Sequence, residues 1–229
     1  MGKHIPKENA KGSQGDLQRL IEKRPDLLNS RIKASLGLSD KLKIEWVSPI
    51  PPDYAEYFDD DFLRVLDLDP NNIRLNDFWP SGGPHWDALG KGNDKSIFLV
   101  EAKAHISEMV SSPSGAGENS LNKIRAELER TRDFLHAKPN VDWATHFFQY
   151  GNRLAHLKFL RFDKELSAFL VFTYFVGDQD MNGPSTKEEW FGAIELLHSF
   201  LGIGRTKMTP FMADVFVHVD EFKGTGSSL

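Results

Sequence analysis

The chain contains no cysteine. Disulfides, thiolate zinc sites and cysteine nucleophiles are excluded together. A chain without cysteine suits a reducing compartment, and the expected location is cytoplasmic. Long hydrophobic runs are missing too. The longest strongly apolar stretch, Ala168 to Val176, is about half the length a membrane helix needs, so no membrane partner is expected. Met1 to Asp16 is polar and lacks the apolar segment of a secretory signal. Pro6 stands where a myristoylation site following Gly2 needs Ser or Thr. Basic excess is lacking as well: 28 Lys and Arg face 33 Asp and Glu, a formal net charge of -5. That balance argues mildly against a large duplex-covering surface, though basic residues can be grouped locally. No Gly-x-Ser-x-Gly elbow, P-loop or His-Glu-x-x-His motif occurs. Gly202-Ile-Gly204 follows a helical pattern and lacks the rest of a dinucleotide fingerprint.

What is present is an ordinary globular composition. Of 229 residues 40% are hydrophobic and 27% charged, with 17 Phe and 5 Trp, enough apolar surface for a core. With no internal repeat or low-complexity linker, a single domain over residues 15–222 is the simplest organisation. Polar residues 1–14 and the Gly/Ser-rich 223–229 are expected to be flexible ends.

Apolar spacing predicts helix over Asp16 to Leu36, with a break at Pro25. Leu42, Ile44 and Trp46 alternate with charged residues as in a half-buried strand ended by Pro49. Tyr54 to Leu66 reads as a short acidic helix and Ile73 to Trp79 as extended chain. Trp86 to Leu89 and Ser96 to Lys103 read as two strands of a hairpin around the turn-rich Gly90 to Lys95. Helices are expected from Ser120, acting as a cap, to Leu135, from a cap at Asp142 to Leu160, and over Thr186 to Leu201. Ala168 to Val176 and Met212 to Val219 complete the strands. The class is α/β or α+β, with a mixed central sheet flanked by helices.

The informative segment runs from Pro84 to His105. Ile97 to Val100 is continuously apolar, and Glu101, Ala102 and Lys103 come at once after it. Residues two apart on a strand share a face, so Glu101 and Lys103 project together and Ala102 points away. Charges at the end of a buried strand persist only if paired, hydrogen-bonded or metal-bound. If the turn centres near Asp94, Asp87 falls opposite Glu101. Two carboxylates so close raise one pKa sharply unless a divalent cation lies between them, and hard oxygen ligands select Mg2+ or Mn2+. Asp87, Glu101 and the Ala102 carbonyl would then hold the metal. Lys103 would orient or deprotonate a water and stabilise charge on a phosphate.

An Asp, a hairpin, then Glu-x-Lys on an apolar strand resembles the PD-(D/E)XK nuclease superfamily, the restriction-endonuclease-like fold. Its Asp corresponds to Asp87, in Trp-Asp rather than Pro-Asp, and its Glu-x-Lys to Glu101-Ala102-Lys103. The likeness in topology covers roughly residues 15–176 and rests on three side chains. It implies an Mg2+- or Mn2+-dependent endonuclease-like phosphodiesterase acting on DNA. By that likeness, in-line attack of water leaves a 5'-phosphate and a 3'-hydroxyl, and the enzyme can work as a homodimer when both strands are cut. A Glu of the first core helix, here Glu22, sometimes completes the family's metal site. Gln149 and Arg153 could supply the polar support that members carry on the helix after the Glu-x-Lys strand. Helix 120–136 is an insertion that departs from the family's pattern and leaves open which helix is the core one.

His146, Gln149, Arg153 and His156 fall on one helical stripe that could face a phosphate backbone, or simply water. His105 shares the face of Glu101 and Lys103. Lys123, Arg125, Arg130, Arg132 and Lys138 group near one helix, diluted by Glu127 and Glu129, and read as a solvated face; Asp77 reads as a local cap or partner. Three alternatives stay open. The hairpin charges could form a surface salt-bridged pair, the fold could be a catalytically inactive nucleic-acid- or protein-binding module, or the site could be that of a metal-dependent hydrolase acting on something other than nucleic acid.

Overall fold

The computed structural model describes residues 2–6 and 10–223. Of the segments expected to be flexible, residues 1, 7–9 and 224–229 lie outside the described residues. Within 1–14, Lys3–His4 pairs antiparallel with Glu56–Tyr57, and the first helix already begins at Gly12.

Five strands form one sheet: β1 (Ile44–Ser48), β2 (Ala88–Gly92), β3 (Ile97–Lys103), β4 (Ala168–Val176) and β5 (Met212–His218). They lie side by side in chain order. The β1–β2 and β2–β3 pairs are antiparallel, the β3–β4 and β4–β5 pairs parallel. The architecture is therefore mixed α/β, a five-stranded mixed sheet flanked by helices. Every residue of β3 and β4 is buried, as expected of central strands covered on both faces.

Helices α1 (Gly12–Lys23) and α2 (Pro25–Leu36) succeed each other across the expected break, where Pro25 opens the second. Their Leu17, Leu20, Leu28 and Ile32 pack on one sheet face with Phe98, Val100 and Val171. The opposite face carries α3 (Asp59–Val65), α4 (Glu118–Leu135), α5 (Phe148–Lys158) and α6 (Lys187–Leu201) over Ile97, Leu99, Leu170 and Phe172. Side-chain alternation along β3 puts Glu101 and Lys103 on the face of Ile97 and Leu99, under α5, and turns Ala102 toward α1.

Four stretches differ from expectation. Ile73 to Trp79 is not extended but belongs to two single-turn helices, Pro70–Ile73 and Leu75–Phe78. Asp69 caps the first through the amide of Asn71, with Pro70 at its first position, and Arg74 in the left-handed region separates the two. The acidic helix starts only at Asp59, because Glu56–Tyr57 is extended. Ser120 lies inside α4, whose N-cap is Gly117. Residues 142–147 form turns rather than helix, and α5 starts five residues later than predicted, after Phe147 at φ 55.

Thr186 does cap α6: its hydroxyl accepts from the Glu189 amide at 3.3 Å, and Glu189 accepts in turn from Ser185 at 2.8 Å. At the other end Gly202 has φ 66, and an added Cβ would collide with the Lys138 carbonyl, so this position requires glycine. Thr186→Ala is expected to lower stability by about 1 kcal/mol and Tm by about 2–4 °C in a urea or thermal titration.

Candidate active site

The β2–β3 register pairs Ala88 with Val100, Leu89 with Leu99 and Gly90 with Phe98, which brings Asp87 opposite Glu101. Asp87, half-buried at the rim, accepts a hydrogen bond from the Ala102 amide at 2.7 Å. In an extended strand the carbonyl of a residue projects to the same edge as its N–H, so the Ala102 carbonyl is directed toward Asp87 too. The three predicted metal ligands are thus neighbours.

Glu101 is 1% exposed. Lys103 donates to its Oε1. Arg153 clasps Oε2 with Nε at 2.8 Å and Nη2 at 2.6 Å. Lys103 also donates to Gln149 Oε1 at 2.8 Å, and the Gln149 amide is fixed by Ser111 Oγ at 2.9 Å. Helix α5 thereby places Gln149 over Lys103 and Arg153 over Glu101. Arg153 is completed by the His85 carbonyl at 2.7 Å and Asn152 Oδ1 at 2.9 Å, with its guanidinium 4.8 Å from the Trp86 ring. It is a buried partner of Glu101.

The electrostatics separate the two acids. Burial pushes Asp87 well above the usual carboxylate range, and the Glu101 charge pushes it further. Burial acts on Glu101 in the same direction, but Arg153 and Lys103 outweigh it and hold Glu101 below its usual value. One acid is stabilised as its anion beside another that resists ionisation.

A third carboxylate was not anticipated. Tyr57 bridges Trp86, the Trp86 amide donating to the Tyr57 carbonyl at 3.1 Å, so Glu56 comes near enough for its charge to act on Asp87 and Glu101. Glu56 is 6% exposed and takes a hydrogen bond from Gln14 of α1. Burial raises its pKa, with a further contribution from Glu101. It sits in a short extended piece between Pro52 and α3, where nothing in its own neighbourhood marks it.

Other residues singled out by the sequence lie elsewhere. Glu22 is exposed and meets the Tyr54 hydroxyl at 2.9 Å; the first helix contributes Gln14 to the site's margin instead. The expected stripe does not form. His146 precedes α5 and contacts Thr145, while His156 is fully buried among Phe78, Trp79 and Trp86, its pKa driven down to about 3 by burial. His105 is held by Ser107 and Glu108. Asp77 pairs with Arg74 at 2.5 Å, Arg125 with Asp142 at 3.5 Å, and Arg130 with Glu127, while Lys123 donates to the Asn76 carbonyl.

The chain matches no family model, no curated protein and no solved structure. Its chemistry must be argued from the side chains. Among the described residues, no three His, Asp or Glu side chains converge as a metal-holding group; the candidate donors are Asp87, Glu101 and the Ala102 carbonyl. They suit one hard cation. Asp87 has an oxygen beyond the one held by Ala102, and an ionised carboxylate offers about four lone-pair positions, of which the ion pairs of Glu101 use three. Behind Lys103, toward Met109 and Tyr150, the structure leaves only about 10 Å³. Among the described residues no helix is long and apolar enough to cross a membrane.

Proposed function

We propose that this chain is a metal-dependent nuclease with a restriction-endonuclease-like core that hydrolyses phosphodiester bonds in DNA. The observation that carries the proposal is the alignment of Asp87 with Glu101 across the hairpin, with Lys103 on the same face and the Ala102 main chain turned toward Asp87. Asp87, Glu101 and the Ala102 carbonyl would hold Mg2+ or Mn2+. The cation would supply a nucleophilic water at neutral pH and offset charge on the phosphate. Lys103, fixed by Glu101 and Gln149, orients the attacking water and donates to a phosphate oxygen as negative charge builds there. Gln149 keeps the ammonium aimed. Arg153 keeps Glu101 ionised, so it acts through Glu101 rather than on substrate. Cutting both strands together asks for a two-fold pair of chains.

One observation favours a second reading, a binding module on the same fold without turnover: both oxygens of Glu101 are engaged by Lys103 and Arg153. The two are separated by nicking of supercoiled plasmid with Mg2+, Mn2+ or EDTA, with Lys103→Ala protein beside the wild type and cooperative thermal unfolding as the check that both are folded. Cutting that needs metal and disappears in Lys103→Ala supports the nuclease. No cutting by folded wild type with either metal, or cutting that Lys103→Ala retains, overturns it.

A further inference from the structure

A second pocket lies two strands from Glu101 along the same row of the sheet. Glu101 pairs with Phe172 and Phe172 with Asp214, a separation of about 10 Å at the usual strand spacing. The pocket has a volume of about 350 Å³, lies between β5, α6 and the 203–209 loop, and has Asp214 and Tyr150 in its wall. Asp214 is exposed to it. Protein packed around the carboxylate raises its pKa to about 6. The Tyr174 hydroxyl lies beside it and no cation pairs with it among the described residues. The Tyr150 hydroxyl is bonded to His198 Nε2 at 2.7 Å, and burial keeps His198 below its usual pKa and so neutral. Arg205 stands exposed on the loop, Ile203 and Met212 add apolar walls, and Glu195 is the other acid.

A carboxylate that faces a pocket beside a tyrosine hydroxyl, with no cation paired to it among the described residues, favours a ligand that brings paired N–H donors. Two flat groups present such a fork, a guanidinium and the Watson–Crick edge of guanine. Arg205 disfavours a cation and suits a phosphate. We propose that this pocket binds a guanine nucleotide, with N1–H and the 2-amino group on Asp214 and the phosphate toward Arg205. Tyr150 adjoins Gln149, so a base held there could belong to the strand lying at Lys103; that extension rests on the nuclease reading, whereas the pocket's own chemistry does not.

The test titrates full-length protein in EDTA with GMP, AMP, CMP and methylguanidine, by calorimetry or NMR. GMP is expected to bind at least about 10-fold more tightly than the other three, and Asp214→Asn to lose at least about 10-fold. GMP binding should strengthen from about pH 5 to about pH 7 as Asp214 ionises; Glu195, His198, Tyr150, Tyr174 and Arg205 are the other titratable groups around it. Equal binding of the nucleotides, preference for methylguanidine, or full GMP binding by Asp214→Asn overturns the proposal. Cut sites enriched beside guanine, and evened out in Asp214→Asn, assign the nucleotide to the strand; GMP binding with unbiased cutting assigns it to free nucleotide. GMP binding without any cleavage would sink the nuclease reading alone, and cleavage without GMP binding the pocket alone.

Discussion

Asp87→Asn is expected to lower metal-dependent cleavage by about 10²–10⁴-fold while making the protein more stable by about 0.5–2 kcal/mol at neutral pH. The two effects share one cause. The native pKa of Asp87 is raised by burial and by Glu101. A group raised in this way contributes stability that is fully present below its unfolded value, near 3.9, and is lost as pH rises through the native value. Asparagine keeps an acceptor for the Ala102 amide and removes the charge that the site resists. Wild type and variant should therefore be equally stable in strong acid and diverge as the pH is raised. A divalent cation reverses the order, because it favours the ionised pair: at about 100 times its Kd it stabilises wild type by about 2.7 kcal/mol and leaves Asp87→Asn unmoved. Urea titrations with Mn2+ and with EDTA read this without reference to cleavage. A variant that is less stable than wild type at neutral pH, or that gains as much from Mn2+, would show that Asp87 is not the strained ligand described here.

The parts of this site legible in the sequence are those governed by period-two alternation. Ile97 to Lys103 declares its own faces, and one assumption about the turn placed Asp87 opposite Glu101. Ala168 to Val176 was readable as a strand to the residue, because nine buried β-favouring side chains have no helical alternative. The failures have different physics. At 142–147, Trp143 and Ala144 are buried as a helix would bury them. The periodicity therefore continues through a turn that a single left-handed residue, Phe147, ends. Ile73 to Trp79 was expected to be extended, while Asp69-Pro70 just before it carried a helix-start signal. Glu56 and Asp214 depend on long-range placement: one arrives through the bridge to Trp86, the other through its row in the sheet. Arg153 shows a third limit. Its position on a helix reaching Leu160 was readable, but its direction was not. Only the structure shows it turned inward onto Glu101, with His156 one turn further on buried in an aromatic cage.

Removing Arg153 is expected to destabilise the fold severely. Arg153→Met keeps much of the stem that packs by Trp86 but leaves Glu101 buried with Lys103 as its remaining cation. Loss of one partner of a buried ion pair typically costs about 3–5 kcal/mol, most of it from the stranded charge rather than from the bond itself. Adding Glu101→Gln removes that charge. The double variant is therefore expected to recover well over half of the loss, a coupling energy of about 1.5–3 kcal/mol in a double-mutant cycle. The pH dependence carries the sign. Arg153 and Lys103 hold the native pKa of Glu101 below its usual value. Their contribution is therefore present above the unfolded pKa, near 4.3, and disappears as pH falls through the native value. In Arg153→Met the Glu101 pKa rises, the carboxyl takes up its proton at higher pH, and the deficit against wild type shrinks as the solution is acidified from pH 7. Equilibrium urea unfolding of the four proteins at neutral and mildly acidic pH decides the matter. A single-variant loss under about 1 kcal/mol, or a double variant no better than the single, would mean that Glu101 does not depend on Arg153 for its charge. The inward turn of Arg153 would then be packing alone.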